Sequence, residues 1–144
     1  MLMGMSDNVS RPVLPDPPSR PSAADIGRIG EDIAADHLRG LGWAVLDRNW
    51  RNRFGELDLI AADATVLVVV EVKTRASRVF GDPVAAVTPE KLARMRRLIR
   101  QWLADNRDRW WVAIRFDVVS VQLDSRDPCA TERAVVRHHR GVFA

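Results

Sequence analysis

Glu56, Asp58, Glu71 and Lys73 interrupt two apolar stretches of residues 55–75, GELDLIAADATVLVVVEVKTR. A charge inside an apolar strand costs free energy unless it is paired, solvated or bound to a metal, so this cluster points to a site. Side chains alternate across a strand. Glu56, Asp58 and Ile60 are therefore expected on one face, and Leu67, Val69, Glu71 and Lys73 on one face of the next strand. A two-residue turn at Asp63 and Ala64 would pair position 62 with 65, set Asp58 opposite Val69 and Glu56 opposite Glu71, and turn all the charges to one side. Asp58 and Glu71 then become diagonal neighbours with Cβ atoms roughly 7 Å apart, a gap that a hard cation bound by oxygens at about 2.0–2.5 Å would bridge. A three-residue turn would instead send one strand's set to the other face.

A carboxylate pair holding Mg²⁺ (or Mn²⁺) beside a lysine suits phosphodiester hydrolysis: the ion activates water, and the Lys73 ammonium orients it or offsets charge developing on a phosphate. The alternative is an exposed sheet face with cross-strand Glu/Lys pairs. Val66, Val68, Val70 and Val72 on one side, with Leu67 and Val69 on the other, mark a strand buried on both faces and favour the site. Glu31, at the border of a helix's apolar stripe, could reach the carboxylates or simply be solvated. Arg75, Arg78, Lys91 and Arg94 flank the cluster and could hold backbone phosphates or form a solvated basic surface. Gly81, Asp82 and Pro83 mark a turn in a loop long enough to close over substrate. His37 reads as a core histidine, and His138 and His139 lack a spaced third zinc ligand.

Positioning these residues requires an α/β arrangement. Apolar residues recur at helical spacing from Asp25 to Leu41 and Gly42 stands where a helix would stop; residues 43–50 read as a strand, and residues 55–75 add two more to make a meander. Thr88 is a candidate N-cap with Pro89 after it and a Val87/Leu92 staple, opening a basic amphipathic helix that runs to about Asn106. Residues 111–123 give a fourth strand and residues 131–139 a short edge strand. The fold class is α/β, with the order helix, three strands, helix, one or two strands.

The chain has 144 residues, 47% of them hydrophobic, enough for one core. Five of its eight prolines fall in residues 1–24, which read as a disordered Pro-rich leader, so that residues 25–144 form a single domain. A net charge of +3 and pI near 9.9 suit a nucleic-acid partner, with DNA the expected class. One cysteine, Cys129, excludes an intrachain disulfide and a thiolate-rich zinc site and suggests the cytoplasm; no apolar run suggests a membrane span.

The blocks GEDIAADHL, RNWRNRFGELDLIA, VEVKTR, FGDPVAAVTPEKLARM and RFDVVSV, in this order, closely resemble the bacterial YraN family. That family is similar to PD-(D/E)xK nuclease-like proteins and archaeal Holliday junction resolvases. The resemblance implies a restriction-endonuclease-like core, a central mixed sheet flanked by helices, and places the motif's aspartate on Asp58, its second carboxylate on Glu71, its lysine on Lys73 and a helix-borne glutamate on Glu31. Leu57 stands where the motif has proline. Two functions are compatible with these residues: a metal-dependent endonuclease, acting for example on branched DNA, or a non-cleaving nucleic-acid-binding adaptor in DNA uptake, repair or recombination. Cleaving a junction would require two sites, so a homodimer is an expected arrangement.

Overall fold

The computed structural model describes residues 11–15, 20–77 and 84–142. Helix α1 spans Ala23–Gly40. Ser22 caps it: its hydroxyl accepts from the Asp25 amide at 3.1 Å, and the Asp25 carboxylate accepts from the Ser22 amide at 3.0 Å. This capping box starts the helix two residues before the expected Asp25, inside the stretch read as leader. The helix gives way at Leu41 to Gly42, whose φ of 85° lies in the region glycine enters without strain.

Strands β1 (Ala44–Asn52), β2 (Gly55–Asp63) and β3 (Val66–Arg75) form the expected antiparallel meander. Helix α2 (Pro89–Asp105) crosses over to β4 (Ala113–Gln122), which pairs parallel to β3, and β5 (Val135–His139) adds an antiparallel edge. The sheet order is β1-β2-β3-β4-β5. The α2 start follows its sequence signals: the Thr88 hydroxyl accepts from the Lys91 amide at 3.1 Å, and Val87 and Leu92 are buried in the same cluster. Among the described residues no helix is long and apolar enough to cross a membrane.

The helices cover opposite faces. On one, Ala34, Ala35 and Leu38 of α1 pack with Leu59, Ala61, Val68, Val70, Val119 and Val121. On the other, Leu92, Met95, Leu98, Ile99 and Trp102 of α2 pack with Leu57, Ile60, Leu67, Val69 and Val118. Strand β3 is thus buried on both sides, as its uninterrupted valines require. A mixed five-stranded sheet between two helices is a restriction-endonuclease-like core. Of the two tryptophans beyond α2, Trp110 is 73% exposed and Trp111 packs partly buried on the α2-side core.

The β2–β3 register differs from the expected one. Asp63 pairs with Val66, so the turn residues are Ala64 and Thr65, with Ala64 at φ 52°. The register therefore moves by two residues, which preserves the face of every side chain but brings Glu71, rather than Val69, level with Asp58.

Candidate active site

The alternation along β2 breaks at Asp58. Leu57 and Ile60 both join the α2-side core, whereas Leu59 and Ala61 join the α1-side core. The cause lies on β1, where Arg48 pairs with Leu59 and Trp50 with Leu57, leaving Asn49 level with Asp58 at a left-handed φ of 50°. Asparagine tolerates that conformation better than most residues, and a residue held there changes the phase of its strand. Glu56, Asp58 and Ile60 consequently do not share a face, contrary to strict alternation. Nothing but the asparagine itself signals the kink in the sequence.

Beyond the kink, β2 and β3 part. Their ladder ends at Leu59↔Val70, and the Val72 amide donates to Asp58 Oδ2 at 2.9 Å. The side chain takes the place of a strand carbonyl, so the gap between the strands is lined by a carboxylate rather than closed by backbone. Burial, followed by the negative charge of the adjoining Glu71, pushes the Asp58 carboxyl up to about 7; a hydrogen bond to Glu71, possible only when one of the two acids is protonated, adds to the rise, and the Val72 amide and Lys91 counter it. Glu71 itself is 15% exposed and forms an ion pair with Lys91, at the third position of α2.

The fork opens into a cleft of about 860 Å³ between the sheet and the start of α1, lined by Glu31, Asn49, Glu56, Asp58, Lys73 and Thr74 among others. Lys73 reaches it along the edge of β3 that β2 has vacated. Glu31 accepts from Asn49 Nδ2 at 2.6 Å and from Arg48 at 3.3 and 3.4 Å. Arg48 also pairs with Asp32 at 2.5 Å. Helix α1 approaches closely because residue 30 is glycine: a Cβ there would stand 1.8 Å from Thr74 Oγ1.

The expected site residues therefore divide. Glu31, Asp58 and Lys73 share the cleft, and Glu71 joins Asp58 in the fork. Glu56 lies at the rim, paired with Arg51 at 3.0 Å, so the expected cluster of Glu56, Asp58 and Glu71 is a pair with a peripheral third member. Among the described residues no three His, Cys, Asp or Glu side chains are grouped to hold a metal. Two adjoining carboxylates still fit Mg²⁺ or Mn²⁺, since a hard cation takes one or two protein oxygens and completes its shell with water or substrate. A bound cation would offset both causes of the raised Asp58 value, the burial of its charge first and the repulsion by Glu71 second.

Of the basic residues, Arg75 ends β3, Arg94 is exposed on α2 with its stem against Gly55, and Lys91 is engaged by Glu71. Arg78 and the Gly81, Asp82 and Pro83 turn lie outside the described residues. Asn49, Arg48 and Arg51 were missed by sequence reasoning, which had no pattern to connect β1 with α1.

A second polar cluster occupies the α1 face away from this cleft. The fully buried Asp117 accepts from Arg115 Nε at 2.9 Å, Arg115 at a second nitrogen at 3.1 Å and the Gly141 amide at 3.0 Å, and its Oδ2 lies 2.8 Å from His138 Nε2. His138 Nδ1 lies 3.0 Å from His37 Nε2. Burial would raise the Asp117 carboxyl, but the bonds from His138, Arg115 and Gly141 outweigh it and hold it low. His37 is half-buried, as its place in the apolar stripe suggested, but its polar partners are 101 residues away and invisible to spacing.

Residues 30–121 match the family described as "Uncharacterised protein family UPF0102". The chain is similar to a UPF0102 protein of Mycolicibacterium vanbaalenii, 52% identical over 105 residues that cover 73% of this chain and 86% of that protein. A UPF0102 protein of Acidothermus cellulolyticus is 47% identical over 127 residues, 82% of this chain and 92% of its own length. The matched region runs from the middle of α1 to the end of β4 and contains Glu31, Asp58, Glu71 and Lys73. The chain belongs to the UPF0102 family, the YraN family recognised in its motif blocks.

Proposed function

We propose that this protein is a divalent-metal-dependent endonuclease that hydrolyses phosphodiesters, with DNA as the preferred substrate. The observation that carries the reading is the Asp58–Glu71 carboxyl pair, set in the fork between β2 and β3 and open to a cleft that also contains Lys73. Two acids in contact at the mouth of a cleft destabilise the fold and are more readily explained by a ligand than by packing.

Asp58 and Glu71 would hold Mg²⁺ or Mn²⁺, which when bound lowers the pKa of water and neutralises charge on the phosphate. The remaining roles belong to the chain. The Val72 amide fixes the Asp58 carboxylate. Lys73 supplies a positive charge to a non-bridging phosphate oxygen or to the attacking water. Glu31, through Arg48 and Asn49, holds β1 and α1 together as the cleft wall and keeps the kink in place. Arg75 and Arg94 are available to backbone phosphates, contacts that position a strand without reading its bases.

A second reading has its own support. Glu71 is already paired with Lys91, and Glu31 is paired with Arg48 and hydrogen-bonded by Asn49, so the chain supplies these two carboxylates with partners of its own, which suits a non-cleaving adaptor. The deciding experiment is incubation of linear duplex, single-stranded and branched DNA with Mg²⁺ or Mn²⁺, comparing wild type with Asp58→Ala. Metal-dependent cleavage abolished by the substitution is the expected result; binding without cleavage of any of these substrates would replace the nuclease by the adaptor.

A further inference from the structure

Next to the cleft, between the start of α1 and the loop after β4, is a second pocket of about 470 Å³. It shares Ile26 with the cleft. Its floor is Ala76, three residues along the chain from Lys73, or roughly 10 Å at about 3.3 Å per extended residue. The two hollows thus lie in line along the end of β3.

The chemistry of the pocket is divided. Arg20 and Arg126 line it, both exposed, and among the described residues neither guanidinium has a carboxylate partner. Arg28 on the same end of α1 and Arg133 beyond the same loop are by contrast in ion pairs. The backbone that presents Arg126 is fixed: Asp124 accepts from the amides of Arg126 at 2.8 Å and Asp127 at 3.1 Å, and pairs with Arg133 at 3.5 Å. Pro21, Ile26 and Pro128 give the pocket apolar walls, and Asp127 contributes a carboxylate able to accept from a base amine or sugar hydroxyl.

We propose that this pocket is a nucleotide subsite: Arg20 and Arg126 grip a backbone phosphate one or two nucleotides from the phosphate placed at Asp58, while the sugar and base of that nucleotide lie against Pro21, Ile26 and Pro128. The inference rests on the reading of the cleft as a nucleic-acid site. Guanidinium forks match phosphate oxygens in geometry as well as charge, and a volume of this size is in the range that encloses one small ligand. A base in a duplex must leave its stack to enter such a pocket, at a cost that an unpaired base does not bear. The subsite therefore favours substrates with an unpaired nucleotide beside the attacked bond.

The test is fluorescence anisotropy with labelled single-stranded DNA and RNA of about twelve nucleotides, a length within the range single-strand sites cover, and the corresponding duplexes. Wild type is compared with the Arg20→Ala/Arg126→Ala double variant and with Arg75→Ala. The double variant is expected to bind single strands at least about tenfold more weakly, to lower the slope of log K against log salt by about 0.7 for the one phosphate released, and to bind duplex as wild type does. The DNA and RNA arms show which sugar the pocket accepts. Thermal melting checks that the double variant is folded, which the exposure of both side chains leads us to expect. Wild-type-like single-strand binding by the double variant, with binding still weakened in Arg75→Ala, overturns the subsite and leaves the cleft reading standing. Failure of wild type to bind any of these oligonucleotides overturns both.

Discussion

Asp58 accepts the Val72 amide at 2.9 Å at the point where β2 stops pairing with β3, so one carboxylate both ends the ladder and faces the cleft. Its partner in the fork, Glu71, follows from the same geometry, since the register sets the two level with each other and the parting of the strands leaves their side chains in contact. An unfavourable pair is held there by favourable structure on either side, which is the usual condition for strain at a functional site.

Asp58→Asn should separate stability from function. The amide oxygen still accepts from Val72, while the buried charge and its repulsion with Glu71 disappear. The native carboxyl is raised from 3.8 to about 7, so its ionisation costs stability as pH rises through that interval and the full cost is present above it. At pH 8 without divalent ions the variant should melt higher than wild type, by about 3–5 °C for each kcal/mol recovered in a domain of this size. Added Mn²⁺ should raise the melting temperature of wild type only. A variant that melts lower would show that the carboxylate is a stabilising element.

Metal binding should respond oppositely to the two partners of one ion pair. Calorimetric titration with Mn²⁺ is expected to show affinity strongly weakened in Glu71→Gln, which removes a charged ligand, and increased severalfold in Lys91→Ala, which removes the cation that competes for Glu71. Equal affinities in wild type and Glu71→Gln would exclude the pair as a metal site.

Lys73→Ala is expected to reduce metal-dependent cleavage by at least about 10²-fold with little change in binding, as loss of a preorganised charge at the reacting centre does. Arg75→Ala and Arg94→Ala should instead weaken binding and each reduce the salt slope by about 1. Steady-state kinetics and binding isotherms at several salt concentrations distinguish the two patterns.

Gly30→Ala should destabilise the fold by about 1–3 kcal/mol, because the added methyl meets the Thr74 side chain at 1.8 Å and pushes α1 off β3. Thr74→Ala should restore only part of that loss in the double variant, because the Thr74 Cβ would still stand 2.6 Å from the added methyl, a coupling expected only of residues in direct contact. Chemical denaturation of the two single variants and the double variant measures it.

The polar cluster predicts acid sensitivity. Burial, then the neighbouring His138 and Arg140, hold the His37 imidazole below its ordinary value of 6.5. The unfolded chain then takes up a proton more readily than the native one, so stability should be retained above about pH 6.5 and decline as pH falls below it. Asp117, held below 3.8, adds a further loss at lower pH as it becomes protonated. In an Asp58→Asn background, which removes the opposing gain from protonation of Asp58, melting temperatures should fall from pH 8 to 5 and be flatter when His37→Phe is added; equal slopes would remove His37 as the cause.

The elements and their order were legible in the sequence because they depend on local signals: the helical spacing of Ile26 to Leu41, the Thr88–Pro89 cap, the two-sided run of valines in β3. The same run announced that Glu71 and Lys73 were out of place in a buried strand, and the motif blocks attached Asp58 and Glu31 to them. What only the tertiary structure decided is how these groups meet. The hairpin register depends on which residue accepts a left-handed φ, and Ala64 rather than Asp63 does so, a choice that side-chain alternation leaves open because both registers keep every side chain on its face. The kink at Asn49 alters the phase of two strands through pairing between segments that have no shared sequence pattern. The partners that neutralise Glu31 and Glu71, and those that join Asp117 to His138 and His37, come from elements 17 to 101 residues distant. Sequence spacing reports what one element presents to its own faces; contact between charges on different elements is settled by how closely those elements can approach, here by a glycine at position 30 and a fork between two strands.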